Sequence, residues 1–193
     1  MKTLLVSAAV AAAALAPAAA SAQAVPTAIV AVVDLNRVTQ ECNACKTAQA
    51  ALRSQVTAEE SREKALGAPL QTEQQSIQAA IDALKGKQPD AALQARIKAF
   101  QTKAQQAEDE AGRGRQQLQA NQQYIQKQIL DKLGPIYQQV MQRRGANVLM
   151  EVNSTLATAQ NVDVTNDIIA ALNTALPSLV TTAPAAPQQP QGR

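Results

Sequence analysis

From Leu35 to Ile125, small and apolar side chains return at alternating steps of three and four residues, and this repeat decides most of what the chain can become. The first run is Leu35, Val38, Cys42, Cys45, Gln49, Leu52 and Val56. It fades at Glu59 and Glu63, then resumes at Leu66, Leu70, Glu73, Ile77, Ala80 (or Ile81) and Leu84. A second run follows at Leu93, Ile97, Phe100, Ala104, Ala107, Ala111, Gly114, Leu118, Asn121 and Ile125. A period near 3.5 is the seam of helices that lie along one another. Gly86-Lys-Gln-Pro-Asp90 interrupts the two runs with turn-forming residues, and Asp90 is placed to open a new helix. The pattern predicts two arms, Asp34–Lys85 and Asp90–Arg144, folded back as an antiparallel helical hairpin. At 1.5 Å per residue each arm would be about 75 Å long, far more than a compact domain needs.

The seam is thin. Ala104, Ala107, Ala111 and Gly114 bury little, whereas a fully buried Leu or Phe is worth about 1.5–3 kcal/mol. The chain has no Trp, one Phe and two Tyr, so large aromatics cannot supply a thick core. Its Ala, Gln, Glu, Lys and Arg favour long helices. The arms are therefore expected to bend. Gly67 and Pro69 are expected to kink the first arm, and Gly134-Pro135 to break or kink the second. Asp34 or Asn36 is placed to cap the first arm, and Gly145 to end the second.

The flanks read differently. Thr27–Val33 is a β-rich apolar run. Asn147–Val152 and Thr155–Ala159 read as two strands joined through a turn at Asn153-Ser154. A last helix is expected over Thr165–Leu176, with Thr165 as its cap and Asp167 in its first turn. The Pro/Gln-rich tail, Thr181–Arg193, is expected to be disordered. The fold class is thus α+β and mainly helical: a small β body (27–33 and 147–159), a helical arm (34–144) and a short C-terminal helix (165–176), all in one domain over 23–180. So few strands leave open edges, for which oligomerisation is the natural remedy. Ile29, Val30, Val32 and Val33, with Val148, Leu149, Met150 and Val152, are the expected oligomer body.

Residues 1–22 read as a secretory signal peptide. Lys2 is followed by the uncharged run Leu4–Ala16 and the small-x-small site Ala20-Ser21-Ala22. The expected destination is the bacterial periplasm, which argues against a nucleic-acid partner, and a net charge of only +3 does not by itself argue for one.

Chemistry-bearing groups are sparse. Histidine is absent, which removes the commonest general base and metal ligand. Cys42-Asn-Ala-Cys45 reads as core packing or a local disulfide more readily than as a redox pair, and it has no second cysteine pair to complete a zinc site. No phosphate loop or catalytic carboxylate pair is visible, so no enzyme, cofactor or ATP-driven step is expected. The arm tip carries Lys85, Lys87, Arg96, Lys98 and Lys103 against Asp82 and Asp90. This is either an ordinary solvated surface or an attraction, sensitive to salt, for acidic polypeptide or anionic lipid.

Three pieces in this order resemble the Skp/OmpH family of periplasmic chaperones. They are Ile29-Val-Ala-Val-Val-Asp-Leu35, the charged hairpin, and Val148-Leu-Met-Glu-Val-Asn153 followed by Asp163-Val-Thr165 and a short helix. The resemblance implies a jellyfish-like homotrimer whose strands join in a β body and whose hairpins hang around a cavity. It further implies an ATP-independent holdase that keeps unfolded outer-membrane β-barrel proteins in that cavity. Lipopolysaccharide or an anionic membrane surface is a further expected partner. The cysteine pair, Gly134-Pro135 and the Pro/Gln-rich tail depart from the family pattern. The rival reading is a structural coiled-coil adaptor or spacer in the cell envelope.

Overall fold

Asp34 turns the chain from strand to helix. Its side chain accepts a hydrogen bond from the Arg37 amide at 2.9 Å, the geometry of an N-cap. In the computed structural model, which describes residues 25–184, strand β1 (Val30–Val33) leads through this cap into α1 (Leu35–Glu41) and α2 (Asn43–Ala83). Helix α3 (Ala91–Arg144) returns, and β2 (Val148–Glu151) lies beside β1. Single 3₁₀ turns at Val152–Ser154 and Gln160–Val162 precede α4 (Thr165–Ala175). The expected signal peptide and residues 185–193 lie outside the described residues.

The strands are parallel, with Val30 opposite Val148 and Val33 opposite Glu151, and one further bridge joins Val32 to Asp163. Parallel neighbours require a long crossover, and here the whole hairpin supplies it. The first strand is shorter than expected, because Thr27–Ile29 precede it without ladder pairing. The Ile29 carbonyl nevertheless accepts from the amides of Asn147 and Val148 at 3.0 and 3.2 Å. The expected strand Thr155–Ala159 does not form. The Thr155 amide and hydroxyl both return to the Val152 carbonyl, at 3.0 and 2.8 Å, and close a 3₁₀ turn. Leu156 is fully exposed. With no surface to pack against, β propensity has nothing to act on.

The first arm is not one helix. Cys42 is extended (ψ 138°), ending α1 and capping α2, and its sulfur accepts from the Cys45 amide at 3.0 Å. The two cysteines form a disulfide across this junction. Beyond it α2 continues through Pro69, and α3 continues through Gly134-Pro135 without a break. Both prolines are exposed, so the carbonyls they leave unpaired face water. The tip forms as expected, with Asp90 capping α3 by accepting from the Leu93 amide at 2.8 Å. Gly145 ends α3 in the left-handed conformation (φ 66°).

The core lies at the root of the hairpin. Val38, Cys42, Cys45 and Ala48 meet Ile125, Ile129, Leu133, Ile136 and Val140, and α4 closes the cluster with Ile168, Leu172 and Leu176. Thr165 does not cap α4 as expected; the cap position is Val164, which makes no side-chain cap bond. Thr165 is fully buried, and its hydroxyl accepts from the Asp34 amide at 2.9 Å. It therefore ties the start of α4 to the start of α1, 131 residues earlier. Among the described residues no helix is long and apolar enough to cross a membrane.

Candidate functional site

Outside the root, the hairpin is held by little. Between residues 53 and 120 only Ile77 is buried. The other seam residues of the two runs there, from Leu66 to Leu84 and from Leu93 to Leu118, are half-covered, while Val56 and Ile81 stay 43% and 38% exposed. Ala80, not Ile81, takes the seam position. Ion pairs fix the register of the two helices: Arg62 with Glu110, Arg115 with Glu63 at 2.6 Å, and Arg96 with Glu73 at 2.6 Å. They are solvent-exposed, so each contributes little to stability. The hydrogen bond from Arg96 holds the Glu73 carboxyl below the ordinary carboxylate range, against a smaller desolvation effect.

This pairing separates the tip cations. Lys85, Lys87, Lys98 and Lys103 are exposed and make no ion pair among the described residues. Arg96 is engaged with Glu73 and also donates to the Ser76 hydroxyl at 2.8 Å. Its charge is committed within the hairpin, so the structure does not bring it into the solvent-facing set.

In the body, Val32 and Val33 are buried, while Ile29, Val30 and Met150 stay 54%, 38% and 36% exposed. Val148, Leu149 and Val152 are half-buried. The sheet has only two strands, so the outer edge of β2 is unpaired within the described chain. Cys42 and Cys45 are 0% and 2% exposed. That burial keeps the bond out of reach of an attacking thiolate. Among the described residues no cluster of potential metal ligands occurs.

Two features of the root were absent from the sequence expectations. An apolar groove of about 490 Å³ opens between α1, α2 and α3, lined by Leu35, Leu52, Ile125, Ile129 and the half-exposed Leu130. The second feature concerns the tail. Thr181–Pro184, expected to be disordered, continues from α4 along the hairpin, and Ala183 donates its amide to Asn121 Oδ1 at 2.8 Å. Asn121 is 4% exposed on the seam itself. Its Oδ1 also accepts from Gln117 Nε2 at 2.7 Å, and its Nδ2 donates to Gln55 at 2.9 Å. A polar residue recurring on an apolar seam was the one available sign that something polar docks there.

A two-stranded body and a core at the root, from which a long and sparsely buried helical hairpin projects, define a class of arm-bearing proteins. A sequence profile for the OmpH-like outer membrane protein family matches residues 29–172, from the residue before β1 into α4. The chain belongs to this family, the Skp/OmpH family. Among solved structures, it resembles a Caulobacter crescentus protein described as an OmpH-like outer membrane chaperone. The TM-score is 0.70 at 19% identity, over 86% of this chain and 96% of the other. At that identity the likeness speaks for the fold. No curated protein matches the sequence.

Proposed function

We propose that the protein is an ATP-independent holdase that keeps unfolded outer-membrane β-barrel proteins from aggregating in the periplasm. Family membership and the fold support the general role of an outer membrane chaperone. The observation that carries the finer reading is the arm. Helices of 41 and 54 residues, about 60 and 80 Å long, bury one side chain between residues 53 and 120. An arm this lightly packed keeps its apolar and small side chains available for weak, interchangeable contacts, which suit a client without a fixed shape. Lys85, Lys87, Lys98 and Lys103 attract acidic clients or anionic lipid, lipopolysaccharide included, while Arg96 serves the hairpin's register through Glu73. The working form in this reading is a homotrimer. Exposed Ile29, Val30, Met150 and Leu156 and the open edge of β2 support self-association. Residues 1–22 direct export and 23–180 act as one unit. The reading involves no catalytic step.

The test is dilution of a urea-unfolded outer-membrane β-barrel into buffer with and without the protein. Light scattering is followed, then mass by size exclusion with multi-angle scattering. Suppressed aggregation without ATP, in complexes holding three chains per client, is expected. Reversing charge at Lys98 and Lys103 weakens capture more at low than at high salt, since the Debye length shrinks to about 3 Å at 1 M. Equal loss at both salts refutes the role of the tip. A stable oligomer that ignores the unfolded barrel and captures one folded partner would replace the holdase with the adaptor.

A further inference from the structure

The strap formed by Val180–Ala183 is held almost entirely through its backbone. Gln128 donates from Nε2 to the Val180 carbonyl at 2.8 Å and accepts the Val180 amide on Oε1 at 3.0 Å. Gln55 Nε2 donates to the Thr181 carbonyl at 3.1 Å. Gln117 Nε2 donates to the Ala183 carbonyl at 3.3 Å, and Asn121 Oδ1 accepts the Ala183 amide at 2.8 Å. Every one of these partners is a side-chain carboxamide of the hairpin. The strap's own side chains make none of these bonds; Val180 is 56% exposed and Thr182 is exposed. A carboxamide carries a donor and an acceptor at the spacing of a peptide group, so it reads any extended backbone alike.

The three carboxamides of α3 follow one another at steps of four and seven residues, which places them on a single stripe of the helix. A cavity of about 380 Å³ adjoins Thr182 and is lined by Gln55, Glu59, Gly114, Gln117 and Asn121. Glu59 Oε1 lies buried at this cavity without a hydrogen-bond partner. The carboxylate occupies the space that a Cβ on Gly114 would need. It is an acceptor to which the strap presents no donor.

We infer that this stripe is a receptor for extended polypeptide backbone of any sequence, closed in cis by the chain's own tail. Its second occupant, resting on the holdase reading, is an unfolded client segment that displaces the strap. The strap competes at the high effective concentration of a tethered segment, so it is a threshold: short or weakly held chains do not enter, and long ones do.

The test uses the full chain with Val180→Pro and Ala183→Pro. These remove the two amides that the hairpin accepts and leave every receptor side chain in place. Binding is read with two labelled peptides, one with the order of Pro177–Pro184 and one with the same residues scrambled. Two lost hydrogen bonds predict about thirtyfold tighter binding of both peptides than to the unaltered protein. Adding Gln128→Ala to the released chain takes the gain away. Gln128→Ala alone, which involves no proline, leaves binding at or below the unaltered level. Unchanged binding on release overturns the inference, and so does a gain confined to the native-order peptide. Aggregation suppression measured on the same proteins separates the two readings. Suppression intact with unchanged peptide binding leaves the holdase and removes the receptor. Scrambled-peptide binding gained on release, without suppression of barrel aggregation, does the reverse.

Discussion

Two glycines in the outer arm add to its weakness, and replacing them measures their share. Gly67 lies inside α2 and Gly112 inside α3, and a Cβ at either meets nothing within 4 Å. Alanine exceeds glycine in a helix interior by about 0.8–1.0 kcal/mol, because glycine loses more backbone entropy on ordering. Since neither new methyl group finds a steric opponent, the whole propensity difference is realised. The double substitution Gly67→Ala/Gly112→Ala therefore stabilises the outer arm by about 1.6–2.0 kcal/mol. That lowers its local opening constant roughly 15- to 30-fold, at tenfold per 1.4 kcal/mol. Native-state amide exchange is the assay, since a global melt would average the arm with the root. Amides of 60–80 and 95–115 should slow by that factor, while those of β1 and α4 stay as they were. Gly114 is excluded because its missing Cβ accommodates Glu59. Unchanged arm exchange would show that opening is not limited by helix propensity and would refute the argument. If clients are captured by arms that bend, the stiffened protein also captures the larger barrels more weakly.

Two further outcomes follow from the root. Cys42→Ala/Cys45→Ala removes a cross-link between residues three apart, which by loop entropy lowers stability by about 2 kcal/mol; urea midpoints read the loss, and aggregation suppression persists well below the melting temperature. Loss of suppression in a folded variant would return a redox role to the pair. Partial burial pushes the Asp163 carboxyl up, but hydrogen bonds from Thr165 and the charge of Arg37 overcome this and leave it below the ordinary value. Its stabilising contribution is therefore complete above about pH 4 and is lost as pH falls through the lower folded value. Asp163→Asn should flatten the acid side of the stability profile, measured by urea titration at several pH values, and an unaltered acid slope would count against this.

The hairpin was legible because each of its rules is local. Ile77 and its partners recur at the helical period, Gly86–Asp90 carries turn chemistry and a cap, and Gly145 stops α3 at the residue expected. What escaped depends on distant partners. Cys42 fits the seam as well as a leucine would, so nothing nearby announced that the helix stops and restarts there. Thr165 reads as a helix cap in isolation, yet its hydroxyl serves Asp34. Thr155–Ala159 has strand composition but no surface to lie on. The strap was invisible for a deeper reason: a backbone held by carboxamides imposes no pattern on its own residues. The position of the turn placed all five tip cations together, but only the fold shows that Arg96 reaches across to Glu73.

The parallel pairing of β1 with β2 also sets an order of events. Ile29 bonds to Asn147, 118 residues later, and every ladder contact spans a similar distance. The hairpin, by contrast, closes from its own tip, with partners such as Glu73 and Arg96 only 23 residues apart. Short loops close at lower entropic cost than long ones, and local contacts form sooner. As the chain emerges, its arm therefore zips upward from Gly86 toward the root while β1 waits. By bringing residues 34 and 144 together, the arm supplies the proximity that the sheet needs. On this reasoning the two short strands pair last, and the long hairpin is their folding guide.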